Sequence, residues 1–245
     1  MRDLLAAEYL KLRTTKTTWA LLAATIGTTA LAVVGAIMVA SNSKLNLESL
    51  RGIRTVLHVT ASGGIFVLVL GVIVSAGEYR QRTATDTFLT TPKRWKVITS
   101  KLMVATSAGV VFGALSAGTA MAVANHLYQA KGYTFPLGST QAWTILGGSV
   151  LAAALFGALG AATGSLVRNQ ISAIVGWMAF LFVIENIILG FSATLERWLP
   201  AALSRSLVRD PNADLLPQGT AAIVLVIYGV VIMLTAVLTE RRRDA

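Results

Sequence analysis

The run Thr18–Ala40, TWALLAATIGTTALAVVGAIMVA, contains no formal charge from end to end. About 20 apolar residues in a helix cross the hydrocarbon of a bilayer. The run is too long for the apolar core of a signal peptide and lacks a good small-residue cleavage site followed by soluble sequence, so it reads as a retained membrane helix. Five more runs of the same kind follow, at about His58–Ala76, Leu102–Ala124, Trp143–Leu166, Ile171–Phe191 and Gly219–Leu238. Six such spans account for the composition of the 245-residue chain, 55% apolar and 13% charged with a mean hydropathy of +0.68. A soluble domain carries about a quarter charged residues, so little sequence is left for one. With no cysteine, disulfides, thiolate metal sites and a cysteine nucleophile are excluded. The predicted fold is therefore all-α, a single polytopic domain of six transmembrane helices.

Six crossings place both termini on one side, and the basic residues decide which. Fourteen of the 21 Lys and Arg fall on the side of the termini, in 2–16, 80–101, Arg168 and Arg241–Arg243, against seven in the opposite loops. Cytoplasmic termini follow from the positive-inside bias. The same dispersal explains the net charge of +10 without nucleic acid, for which no helix-turn-helix, zinc or RNP pattern is present. Trp19, Trp95, Trp143, Trp198 and Tyr79 lie near span ends, as an interfacial aromatic belt requires.

Small residues recur at four-residue spacing in the third span, with Gly109 and Gly113 between Ala105 and Ala117. The fourth span repeats the pattern with Gly157, Gly160 and Gly164. Such grooves let backbones approach closely where lipid supplies no hydrophobic drive. They point either to ordinary helix packing or to a dimer seam or translocation path.

Catalytic patterns are missing: there is no phosphate-binding loop, no zinc-protease pair, no nucleophile elbow and no calcium loop. The chain thus reads as a non-enzyme with no bound cofactor. Ser41-Asn42-Ser43-Lys44 matches a β-lactamase motif by chance, without its companions. His58 and His126 read as interfacial residues. Glu185 is the one charge well inside a span, and a carboxylate there costs about 2.5–3.5 kcal/mol on insertion scales. With Asn186 beside it, it is either a gate or substrate contact, or a structural acid bonded to backbone at a helix break.

Three peripheral segments remain. Residues 1–17 form an amphipathic interfacial helix with Leu5, Tyr9 and Leu12 on one face. Within 77–101, Pro92 ends any preceding helix, leaving a short one over 83–91 whose Ala84, Phe88 and Leu89 share a face; an apolar pair in a basic loop needs a burial partner. Between spans five and six, residues 192–218 carry helical spacing broken by Pro200, which predicts an external helical hairpin.

In order and placement, Glu8-Tyr9-Leu10-Lys11-Leu12-Arg13-Thr14-Thr15, Gly77-Glu78-Tyr79-Arg80, Thr83-Ala84-Thr85, Phe88-Leu89-Thr90-Thr91-Pro92, Arg168-Asn169-Gln170, Glu185-Asn186 and Trp198-Leu199-Pro200 resemble the membrane subunit of ABC-2 type exporter permeases, in the compact form of high-GC Gram-positive bacteria. The resemblance spans essentially the whole chain. It implies a permease that pairs with a second permease subunit, as homo- or heterodimer, and with two cytoplasmic ATPase subunits that hold ATP and Mg. It places the family's coupling helix on 83–91, with Arg82, Thr83, Asp86, Phe88, Leu89 and Pro92 facing the ATPase, the connecting helix on 1–17 and the external gate helices on 192–208. Arg82 stands where the family often has glycine. A transporter working alone on an ion gradient would favour several intramembrane charges and matched halves, and the chain offers only Glu185. A membrane-embedded assembly factor is the third reading.

Overall fold

A computed structural model describes residues 1–42, 46–81, 94–136, 138–211 and 215–242. Helix α1 (Arg2–Thr14) ends at Thr15, whose extended backbone (φ −84°, ψ 120°) turns the chain into α2 (Lys16–Asn42). The turn is fastened locally, by the Thr15 hydroxyl donating to the Lys11 carbonyl at 2.6 Å and the Trp19 indole donating to the Arg13 carbonyl at 3.0 Å. Then come α3 (Leu50–Leu57), a 3₁₀ turn over His58–Gly63 and α4 (Gly64–Gln81). They are followed by α5 (Arg94–Ala130) and α6 (Thr140–Val167). The fifth span is α7 (Gln170–Ala179), a π-helical turn over Phe180–Ile184, and α8 (Glu185–Phe191). Two short helices, α9 (Ala193–Glu196) and α10 (Pro200–Leu207), lead to α11 (Gln218–Arg242).

Six helical stretches are long and apolar enough to cross a membrane, and among the described residues there is no strand; the molecule is an all-helical, membrane-embedded protein. The second stretch runs from Leu50 to Tyr79, because Ser49 caps α3 by accepting from the Gly52 N–H and the chain continues through the 3₁₀ turn without a break. It begins eight residues earlier than the apolar run, so Arg51 and Arg54 are helical.

Helix α6 is the centre: 72% of its apolar window is buried, against 11% for the fifth span. It packs on α4, α5 and α11. The glycines make this possible. A Cβ on Gly109 would sit 2.5 Å from the Ala153 carbonyl oxygen, and one on Gly157 2.5 Å from that of Ala105, so α5 and α6 touch backbone to backbone. Gly113 faces the Val150 backbone, while Gly160 and Gly164 face the backbones of Leu68 and Val72 on α4. All five glycines are therefore occupied within the chain, and none forms a surface open to a second copy. Larger side chains fill the rest: Tyr128 is fully buried, donates to the Leu47 carbonyl at 2.9 Å and stands edge-on to Phe135 at 5.2 Å.

Helix α1 departs from the expected apolar stripe. Tyr9 is 47% exposed, although its hydroxyl reaches Ser107 at 2.6 Å, and the one buried residue of the helix is Glu8. Leu5 and Leu12 are half-buried on the side of Glu8, and Leu12 packs against the Val67, Leu70 and Phe112 cluster, so the inward face of α1 combines the charge with two of the three expected apolar residues.

Candidate functional site

Glu8 belongs to a four-residue charge cluster at the end of the bundle where α1 lies. Lys101 on α5 is almost fully buried, and its ammonium sits 3.1 Å from Glu8 Oε1 and 2.9 Å from Glu78 Oε1, while also donating to the Val74 carbonyl at 3.2 Å. Lys11 completes the set, 3.2 Å from Glu8 Oε1 and 2.6 Å from Glu78 Oε1. Two carboxylates and two ammoniums cancel. A buried charge is tolerated when it is paired and its remaining hydrogen-bonding positions are filled, and here each acid meets both bases. Partial burial acts to lower the Lys11 pKa, but the hydrogen bond to Glu78 and the charges of Glu8 and Glu78 outweigh it and hold the group above its ordinary 10.5.

The cluster binds three elements: α1 through Glu8 and Lys11, α4 through Glu78 and α5 through Lys101. Beside it, Arg168 ends α6 in the left-handed conformation (φ 56°) and lays its guanidinium over the Tyr79 ring at 5.6 Å, a cation–π contact that joins α6 to the same end of α4. A cavity of about 510 Å³ opens next to the cluster, lined in part by Glu8, Lys11, Thr15, Glu78 and Gln170. All of this surrounds the roots of α4 and α5, the helices that flank 82–93. Arg82, Thr83, Asp86, Phe88, Leu89 and Pro92, which the resemblance assigns to coupling, and the short helix expected over 83–91 lie outside the described residues.

The sequence reading did not bring this quartet together. In the sequence Lys101 enters only through topology, Glu8 and Glu78 only through the resemblance, and Lys11 through both. A signal was available: Glu8 and Lys11 are three apart on a helix, a favourable spacing for an ion pair, and Glu78 and Lys101 are the charges nearest the apolar runs on either side of the loop.

Of the two readings of Glu185, the geometry supplies the structural one with a partner. Helix α10 starts with Leu199 at its cap, which has no acceptor, and Pro200, which has no N–H. The first free donor is Ala201, and its N–H lies 3.1 Å from Glu185 Oε1 and 3.2 Å from Oε2. Glu185, buried at 4% exposure, thus caps α10 from sixteen residues upstream, as a carboxylate near a helix N-terminus should. The π-helical turn over Phe180–Ile184 ends just before it. Asn186 is exposed and turns back on its own helix, donating to the Phe182 carbonyl at 2.9 Å. Glu196 on α9 pairs with Arg205 on α10, closing the short hairpin.

No protein-family model matches the chain, and no curated protein matches it.

Proposed function

We propose that the chain is the transmembrane permease subunit of an ATP-driven exporter of the ABC-2 type, lying in the bacterial plasma membrane with both termini cytoplasmic. The observation that carries this reading is the buried Glu8–Lys11–Glu78–Lys101 cluster at the roots of the two helices that flank 82–93. A loop that only set topology would need no buried ion-pair network behind it; a loop that receives force does. The topology rests on the distribution of basic residues.

In this mechanism a separate cytoplasmic ATPase subunit holds ATP and Mg and presses on Phe88 and Leu89. The displacement enters α4 and α5 together because Lys101 ties them to each other and to α1. It passes to α6 because Gly109, Gly157 and Gly160 leave no compressible side chain between the backbones. That block moves against the fifth span, of which 11% is buried. Two packings of the bundle then alternate, inward and outward open, with a second permease subunit completing the path. The external gate includes α10, which packs on α6 and α11 and is tied to the fifth span through Glu185.

The test is purification of the tagged chain in mild detergent from its native host. A stoichiometric soluble ATPase should accompany it, and Phe88→Asp should uncouple transport from ATP hydrolysis while leaving membrane insertion intact. Transport-linked ATPase activity retained in Phe88→Asp, or export by the purified chain in vesicles without ATP, refutes the proposal.

A further inference from the structure

The opposite end of the bundle carries a second polar construction, independent of the coupling reading. Arg54 lies near the start of the Leu50–Tyr79 stretch and Glu78 near its end, so Arg54 stands a full helix away from the charge quartet. Arg209 follows α10. The two guanidiniums converge on one neutral atom: Gln141 Oε1 accepts from Arg209 at 2.9 Å and, at a long 3.5 Å, from Arg54. A carboxamide oxygen is a poor reward for two cations. Each guanidinium carries five donors, and Arg54 Nε is buried with no hydrogen-bond partner among the described residues.

The backbone adds a further cost. Arg209 is held at φ 53°, the left-handed conformation that glycine favours just past a helix end. A non-glycine residue there is disfavoured, yet this position carries an arginine whose side chain crosses to Gln141 on α6.

Both arginines line a cavity of about 560 Å³, together with Ser206, Asp210 and Gln218. Asp210 sets one carboxylate against two guanidiniums, so the described lining keeps a positive excess. The cavity lies where three of the apolar helical stretches begin, at Leu50, Thr140 and Gln218, and the end of a spanning helix is where lipid head groups meet it.

We infer that this cavity binds a phosphate group, held by the guanidinium forks of Arg54 and Arg209. The planar fork matches a tetrahedral oxyanion by paired N–H donors, and a phosphate would balance the positive charge that one carboxylate in the described lining leaves over. The group belongs either to a phospholipid head or to free inorganic phosphate.

The experiment uses the purified full chain in neutral detergent and follows thermal unfolding on addition of dioleoylphosphatidylglycerol, of inorganic phosphate, or of dioleoylglycerol as the phosphate-free lipid. Stabilisation by phosphatidylglycerol but not dioleoylglycerol supports the site with a lipid source; equal stabilisation by inorganic phosphate supports it with a soluble source. Arg54→Gln and Arg209→Gln should each raise the ligand concentration needed for a given stabilisation at least about tenfold, since a charge-assisted hydrogen bond exceeds the 1.4 kcal/mol that a factor of ten in Kd represents. Asp210→Asn should strengthen it, a gain that no misfolded variant would show. The inference is overturned if neither phosphate source stabilises the protein, if the arginine variants respond as the wild type does, or if those variants do not fold and Asp210→Asn leaves the effect unchanged.

Discussion

Replacing Lys101 by methionine removes the hub of the charge cluster while keeping a long, flexible apolar stem in its place. In the wild type its ammonium lies 3.1 Å from Glu8 Oε1 and 2.9 Å from Glu78 Oε1, and all three side chains are under 10% exposed. The variant leaves two buried carboxylates facing Lys11 alone, and removing one partner of a buried pair costs about 3–5 kcal/mol. Lys11 still lies 2.6 Å from Glu78 Oε1 and 3.2 Å from Glu8 Oε1, which compensates part of the loss and sets the expectation near the lower limit. At about 2–4 °C per kcal/mol for a chain of this size, a 3 kcal/mol loss lowers Tm by roughly 6–12 °C. The assay is the fraction of protein still monodisperse after heating in neutral detergent. Adding Glu78→Gln to Lys101→Met restores charge balance, so the double variant should recover at least about 1 kcal/mol relative to additivity. A Lys101→Met protein within about 0.5 kcal/mol of wild type, the range of ordinary surface changes, refutes the reasoning, as does strict additivity in the double variant.

Three further outcomes follow from the same geometry. Glu185→Leu strands the Ala201 N–H without its acceptor and should cost about 1–3 kcal/mol, whereas Glu185→Gln keeps an acceptor oxygen and should cost less; faster amide hydrogen exchange at the start of α10 distinguishes the two. On one helix, Gly160→Ala drives a methyl into the Leu68 backbone and should destabilise by about 1–3 kcal/mol or more, while Gly147→Ala meets nothing within 4 Å and should be neutral or stabilising in the same melt. Because the folded pKa of Lys11 is raised, its contribution is complete below its ordinary 10.5 and is lost as pH rises through the higher folded value; stability should therefore fall more steeply above pH 10.5 in wild type than in Lys11→Met.

The membrane-embedded, all-helical architecture was legible from sequence because it follows from properties that local composition records: uninterrupted apolar length, and backbone groups that must be satisfied within the segment when no water is present. The glycine spacing likewise announced close packing. It did not announce the partners, since a groove looks the same whether α6 of the same chain or a second copy fills it, and only the fold placed Gly109 against Ala153 and Gly160 against Leu68.

The charged residues divide in the same way. Glu185 was conspicuous because a lone acid in a span demands an explanation, yet its partner, the Ala201 N–H, is a backbone group that no side-chain pattern reveals. Glu8, Lys11, Glu78 and Lys101 occupy three separate stretches of chain, and Arg54, Gln141 and Arg209 three more. Sequence alone determined how many helices are long and apolar enough to cross a membrane and which residues are charged near their ends. Which charges neutralise one another was decided by tertiary structure, because Coulomb attraction and hydrogen bonding act over a few ångströms of space and take no account of distance along the chain.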